Sequence, residues 1–574
     1  MSTNRRSAQA LALVACSALA LTACATSSGG GASSSSSSGS SASATTSNKT
    51  ITWAYEQEFA SYNQNTGDNH SSANAVVLNP VIDGFWAFKP DGSVQPETDF
   101  GTYQKTSDNP LTVKYTINPK ATWSDGVPVE CDDMVLTWLA DSGVTGAKGF
   151  QPAGTAGYEQ QNAPQCKAGD KDVTITYKTP FADWNAMYGQ AEIMPAHIVE
   201  KQAGMTKKFV DYVKTPTSPD LKKAIDFWNK GWALNPGQLK KDIMPSSGPY
   251  MIDSWSAGQS LTLKANPKWW GTPPKTGTIV LRYIAGNQMA QALQNGEAQI
   301  MDPQPQVDIV NQLKGMGNQV NFTTGEQFSW EHVDFNFKGE FKDKNLREAF
   351  AKCIPRQQII DNLIKPQNAN AKILEARWLY SFQPGYDELA QTGGQKYDTV
   401  DIAGAKQLLG GKTVTVKVGW RKDPQALNKR RVDTIALIQA SCKQAGFKVV
   451  DSGTPTFFDK EWPAGQWDVA LFAWQGSPLV SGNSGIYNTG GGQNPQGYSN
   501  PQVDKLVAQL FQTVDKTQQM ALEKQIEQTL WTDLFNVPLF TFPAVFAATK
   551  NVQGVVYNPT QADVIWNSRD WALK

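Results

Sequence analysis

The chain has 574 residues, 52 Lys+Arg against 52 Asp+Glu for a formal net charge of zero, 19 tryptophans and only 3 histidines. Balanced charge removes any global electrostatic case for nucleic acid. His70, His197 and His332 lack metal-ligand spacing, so neither a metal centre nor a cofactor is expected, and the length after the leader calls for more than one lobe.

Arg5 and Arg6 precede an apolar, small-residue stretch over 8–23, a secretory leader too short to span a bilayer stably. Leu21-Thr22-Ala23-Cys24 resembles a bacterial lipobox, which predicts a signal peptide over 1–23 and lipid on the Cys24 thiol. The alternative is ordinary cleavage beside an incidental cysteine. Residues 24–48 are rich in Ser, Gly, Ala and Thr and cannot bury enough apolar area to order themselves, so they are expected to tether the folded body to the membrane. No later apolar run approaches the length of a membrane span, and a soluble body is expected.

In chain order, Ile51, Trp53 and Tyr55 alternate as an opening strand, and a polar loop over 56–63 follows with Phe59 and Tyr62. A short hairpin is predicted over 86–99, a strand through Val113, Tyr115 and Ile117, and a helix over 131–140. Asp132 and Asp133 lie in that helix's first turn, where the macrodipole favours carboxylates; paired carboxylates also suit acid/base catalysis, but we assign them to structure. Val173, Ile175 and Tyr177 form a strand, 181–197 is assigned to a helix, and 207–232 is helical on either side of a break at Pro216 and Pro219.

The stretch 246–271, SSGPYMIDSWSAGQSLTLKANPKWWG, places alternating apolar residues either side of Ala257-Gly258-Gln259, a hairpin pattern. A strand (279–283), a helix (287–295) and a strand (296–300) follow, and alternating Val333, Phe335 and Phe337 predict strands within 319–337. A helix over 345–360 puts Leu346, Phe350 and Cys353 on one face. After a short helix at 402–409, a strand at 414–418, a helix over 428–444 and a strand at 447–449 compose a βαβ unit, so the second lobe has an α/β core. Val469, Leu471 and Ala473 form another strand ending at Trp474. Asn500-Pro501 opens a helix, and Pro538-Leu539-Phe540 is expected to end the last one.

The ordered G-P-Y, Trp, hairpin and N-P-x-W-W-G of 246–271 resembles the signature of the family 5 solute-binding proteins of ABC importers, the oligopeptide- and dipeptide-binding type. The W-S-D-G-x-P-V of 123–129, Met194-Pro195-Ala196-His197, the N-L-R-E-A-F helix and the Y-S-N-P-x-x-D of 498–504 match the same family. The resemblance implies a two-lobed α/β periplasmic-binding-protein fold of the class II, or cluster C, type with an extra subdomain in the first lobe. Lobe I is expected over 49–86, 236–328 and 543–574, its subdomain over 87–235, and lobe II over 329–542. It also implies that the protein is not an enzyme but a lipid-anchored, monomeric receptor on the extracytoplasmic face. Such a receptor captures oligopeptides by hinge closure and delivers them to an ABC permease. A non-peptide solute such as an oligosaccharide in the same fold is one alternative. A secreted hydrolase is another, although no G-x-S-x-G, P-loop or H-E-x-x-H announces a catalytic site.

Six cysteines divide accordingly: Cys16 leaves with the leader, Cys24 takes lipid, and Cys131, Cys166, Cys353 and Cys442 remain in an oxidising compartment. Four cysteines allow three pairings. Cys131–Cys166 with Cys353–Cys442 keeps each bridge within one lobe and is preferred over the other pairings and over buried free thiols.

For the binding site, the resemblance points to Glu58, Phe59 and Tyr62 on the first loop and to Phe328 and Trp330 beside the cleft, with Trp420 a further aromatic candidate. The segment 468–478, DVALFAWQGSP, matches the family's G-W-x-x-D, whose Trp lines a side-chain pocket and whose Asp pairs with a peptide α-ammonium. Trp474 matches the Trp, and Ser477 stands where the Asp belongs. An ammonium facing a hydroxyl loses several kcal/mol relative to one facing a carboxylate. The cargo is then a longer or blocked peptide or a neutral solute, or another carboxylate such as Glu58 or Glu331 substitutes, and Ser477→Asp is expected to strengthen binding of free-N-terminus peptides.

Overall fold

The computed structural model describes residues 46–303, 307–422, 428–491 and 493–574. The leader, Cys24 and all of the tether up to residue 45 lie outside these residues. The opening strand β1 (Ser47–Tyr55) starts within the segment assigned to the tether, because Ser47 already pairs with Thr276.

After β1 come the hairpin β2 (Trp86–Phe88) and β3 (Val94–Pro96) and a three-stranded sheet of β4 (Gly101–Asp108), β5 (Leu111–Ile117) and β6 (Asp172–Thr176). Next are β7 (Tyr250–Ser256), β8 (Ser260–Ala265), β9 (Thr276–Tyr283), β10 (Ile300–Met301) and β11 (Val320–Phe335). The chain ends through β12 (Val414–Gly419), β13 (Phe447–Asp451), β14 (Val469–Gln475) and β15 (Asn536–Thr549). Ten of these strands form one sheet ordered β13-β12-β14-β11-β15-β10-β1-β9-β8-β7. β1 runs parallel to both of its neighbours, β9 and β10. Parallel strands carry cover on both faces: Ile51 and Trp53 enter one core and Ala54 another.

The apolar cores divide the molecule into two lobes. One cluster joins residues between Ile51 and Ile300 to the C-terminal Phe546, Val564 and Trp571. Another, from Val333 to Phe542, holds the β12–β13 unit and the helices Lys344–Cys353 and Lys429–Ala445. β15 contributes to both. Between the pairs Glu326↔Pro543 and Trp330↔Thr541 the register shifts, so Gln327, Phe328 and Ser329 oppose Phe542 alone. Such a bulge bends a strand and re-aims side chains: the Phe328 N–H donates to the Pro559 carbonyl at 3.1 Å.

Both disulfides have the preferred pairing, Cys131–Cys166 and Cys353–Cys442. The hairpin β7–β8 turns at Gly258, whose φ of 65° suits glycine. Several assignments change. Residues 181–195 are turns, with helix only over Ala196–Ala203, because Tyr188 and Ala191 take positive φ of 60° and 61° to let the Ala191 N–H reach the Ile82 carbonyl. Pro538-Leu539-Phe540 lies inside β15; the last long helix, Lys516–Asp533, stops at left-handed Leu534. Before the Pro216–Pro219 break there is only one 3-10 turn, Phe209–Tyr212, and the α-helix Lys222–Lys230 follows it.

Candidate functional site

In an open α/β sheet, ligands bind beyond the carboxyl ends of parallel strands, where side chains project from loops rather than into a ladder. Here β1 ends at Tyr55 and β10 ends just before Asp302, and a cavity of about 720 Å³, part of it open to solvent, begins at that edge. Tyr55, Glu56 and Gln57 form its first wall, with Asp302 and Pro303 beside them. Gln327 of the bulge and Gln475 at the end of β14 enter from the strands that continue into the second lobe. The C-terminal segment from Tyr557 to Gln561, with Asp563, forms the far wall. Gln475 is itself fixed, donating from Nε2 to the Phe328 carbonyl at 2.9 Å.

Among the described residues the walls carry three carboxyl groups, Glu56, Asp302 and Asp563, and two phenols, Tyr55 and Tyr557, and no Lys or Arg. Burial, then the adjacent Asp563, pushes the Asp302 carboxyl well above the usual carboxylate range. Burial likewise moves Asp563 up to about 6, held from going higher by its hydrogen bond with Asp302. Two acids that hydrogen-bond to each other cannot both ionise cheaply, so they share a proton. Burial and the charges of Asp563, Asp302 and Glu56 keep the Tyr55 phenol protonated. Asp563 stands at φ 46°, an uncommon conformation for a residue with a side chain, and its carboxylate accepts from the Val564 N–H at 2.5 Å.

The residues expected from sequence occupy other places. Glu58 accepts from Trp255 Nε1 at 2.9 Å and from the Gly258 N–H at 2.8 Å, pinning the β7–β8 turn. Phe59 is packed edge-on against Trp255, and the Tyr62 hydroxyl donates to the Pro245 carbonyl, fully buried. Trp330 lies in the second-lobe core, 4.4 Å from the His332 ring, and His332 Nδ1 meets Asp334 Oδ1 at 2.8 Å. Glu331 holds Arg431 through two contacts of 2.6 and 3.1 Å. Trp420 is buried and donates to Asp451. Trp474 is part-buried and Ser477 accepts from the Leu479 N–H at 3.1 Å, shaping the turn after β14. None of these lines the cavity. Asp133 is likewise structural: it accepts from the Glu130 and Ala196 N–H groups.

Sequence reasoning passed over Asp302, Asp563, Gln327, Gln475 and Tyr557. A signal existed for one of them: Asp302 follows the predicted strand that ends at residue 300. Asp563 has none, since only the return of the C-terminus brings it there.

A family model described as bacterial extracellular solute-binding proteins, family 5, middle, matches residues 95–497. The uncharacterized lipoprotein Rv2585c of Mycobacterium tuberculosis is 29% identical over 549 residues, covering 91% of this chain and 93% of that protein. The oligopeptide-binding protein OppA of the same organism is 26% identical over 505 residues, covering 84% and 78%. Among solved structures, the periplasmic EDTA-binding protein EppA superposes with a TM-score of 0.80 at 21% identity, covering 92% of this chain and 97% of that one. The oligopeptide-binding AppA of Bacillus subtilis, in complex with a nonapeptide, gives 0.69 at 19% identity, covering 92% and 99%.

Proposed function

The chain belongs to the family 5 bacterial extracellular solute-binding proteins, the substrate-binding components of ABC importers, and from that premise we propose that it captures peptides between its lobes. The supporting observation is the cavity at the carboxyl ends of β1 and β10, to which both halves of the sheet and the C-terminal segment contribute. A ligand that touches both sides favours the approach of the lobes, and only a difference in affinity between open and closed forms shifts that equilibrium. The lobe limits that suit this motion are 49–86, 236–328 and 543–574 for the first lobe, with the subdomain 87–235, and 329–542 for the second. The hinge would lie at the β11 bulge.

Peptide is favoured because the amide side chains along the cavity suit an extended main chain, and because OppA and AppA carry that ligand class in their names. The EDTA of the neighbouring structure's name is disfavoured, since three carboxyl groups and no lining cation would repel it. The role is that of a lipid-anchored receptor at the outer membrane face that releases its guest unaltered to a permease. The test is to incubate the purified protein with mixed peptides and glycans and analyse bound and free species by mass spectrometry. Intact peptides recovered from the protein are expected; steady cleavage of either class would overturn the reading.

A further inference from the structure

We infer that Gly92, at the tip of the β2–β3 hairpin, is a positioning residue for ligand capture: its missing side chain lets the subdomain seat against the second lobe. The inference rests on the reading of the cavity between the lobes as the solute site. The hairpin closes through Pro90-Asp91-Gly92, with the Lys89 N–H donating to the Ser93 carbonyl and the Gly92 N–H to the Lys89 carbonyl, each at 2.9 Å. Loops of this length commonly end on a left-handed residue, and Gly92 has φ 79°. That turn accounts for a glycine but not for its burial. Lys89, Asp91 and Ser93 around it are exposed, whereas Gly92 is buried. What covers it comes from the bulge of β11 and the turn after β14: a Cβ at Gly92 would stand 2.7 Å from Phe328 Cζ and 2.8 Å from Pro478 Cβ.

Neither neighbour gives way easily. Phe328 is fully buried, its ring held edge-on by Tyr380 at 5.1 Å and by Phe382 at 4.9 Å, and Pro478 is a rigid ring. A side chain at position 92 therefore finds room only if the hairpin backs away from the second lobe. Pro478 also opens a stretch that meets the first lobe residue after residue. Leu479 packs against the first-lobe core, and the Val480 and Ser481 N–H groups donate to Asp183 of the subdomain at 3.3 and 2.8 Å. On the hairpin's other side, Asn558 of the cavity wall donates from Nδ2 to the Phe88 carbonyl at 2.9 Å. The hairpin thus touches the cavity wall at its base and the second lobe at its tip, so the fit at Gly92 sets how closely the two sides of the cavity approach.

The test is hydrogen exchange read by mass spectrometry on the full chain, together with the amount of peptide retained from a mixed peptide pool. Gly92→Asn adds a side chain on a residue type that tolerates positive φ. The control is Gly258→Asn, at another hairpin turn with φ 65° and nothing within 4 Å of where a Cβ would lie. In Gly92→Asn the amides of 478–483 are expected to exchange about tenfold or more faster, those of 86–96 to keep the parent rate, and retained peptide to fall about tenfold. Gly258→Asn should match the parent in all three. Parent-like exchange over 478–483 in Gly92→Asn would overturn the inference. Faster exchange over 86–96 would overturn it too, marking Gly92 as a turn residue only, and so would faster exchange over 478–483 with unchanged peptide retention. If the parent itself retains no peptide, the peptide reading falls, while the exchange comparison still decides whether Gly92 seats the subdomain. Should circular dichroism show that Gly92→Asn does not fold, Gly92→Ala takes its place under the same criteria.

Discussion

Glu58 and Asp302 are both carboxyl groups within a few residues of a strand end, yet they have opposite fates. Glu58 has its oxygen occupied by the Trp255 indole and the Gly258 amide, so it holds a turn. Asp302 keeps an oxygen buried and unmet. Glu58→Ala should therefore lower stability by about 1–2 kcal/mol through two orphaned donors and leave trialanine affinity within about twofold. Denaturant melts and calorimetry check this, and a large loss of affinity at unchanged stability would return Glu58 to the site. Ser477 makes a related point: its hydroxyl accepts from the Leu479 N–H and so holds the turn after β14.

Between elements, the segment after β6 reaches the second lobe directly. The Ala182 N–H donates to the Phe511 carbonyl at 2.7 Å, and buried Asp183 accepts from the Ser481 and Val480 N–H groups at 2.8 and 3.3 Å. Under the proposed hinge motion these bonds would hold only while the subdomain and the second lobe meet, and so would favour that arrangement. Asp183→Ala should weaken ligand binding about tenfold or more, since a bond to a charged acceptor contributes about 1.5–3 kcal/mol. Equal affinities for the variant and the parent would show that the contact plays no part in closure. The bulge at Gln327–Ser329 interrupts the regular ladder of the two crossing strands, and in the proposed motion they would bend there.

Over the whole molecule, burial raises several carboxyl groups: Asp83 to about 8, Asp132, Asp133, Glu375 and Glu523 to about 7, and Asp563 to about 6. With folded-state values above the unfolded value near 4, the folded chain binds more protons across that window, so stability falls as pH rises through it. The opposite group, including Asp91, Asp172 and Asp451, lies below the ordinary value and acts only in stronger acid. The ligand-free protein should thus melt higher at pH about 5.5 than at about 8; a melting temperature that holds or rises toward pH 8 in calorimetric scans would refute it. The sequence by itself determined the order of most strands and helices and the family, because apolar alternation, glycine turns and ordered motifs are local features that survive without coordinates; it favoured the disulfide pairing found without fixing it. It misjudged 181–197, where the contact of Ala191 with Ile82 outweighs helical propensity, and Pro538, which sits within a strand rather than after a helix. The composition of the cavity was decided only by the tertiary structure. Tyr55, Asp302, Gln327, Gln475 and Asp563 are hundreds of residues apart in places, and they meet because parallel strand ends, a bulge and a returning C-terminus converge on one edge of the sheet.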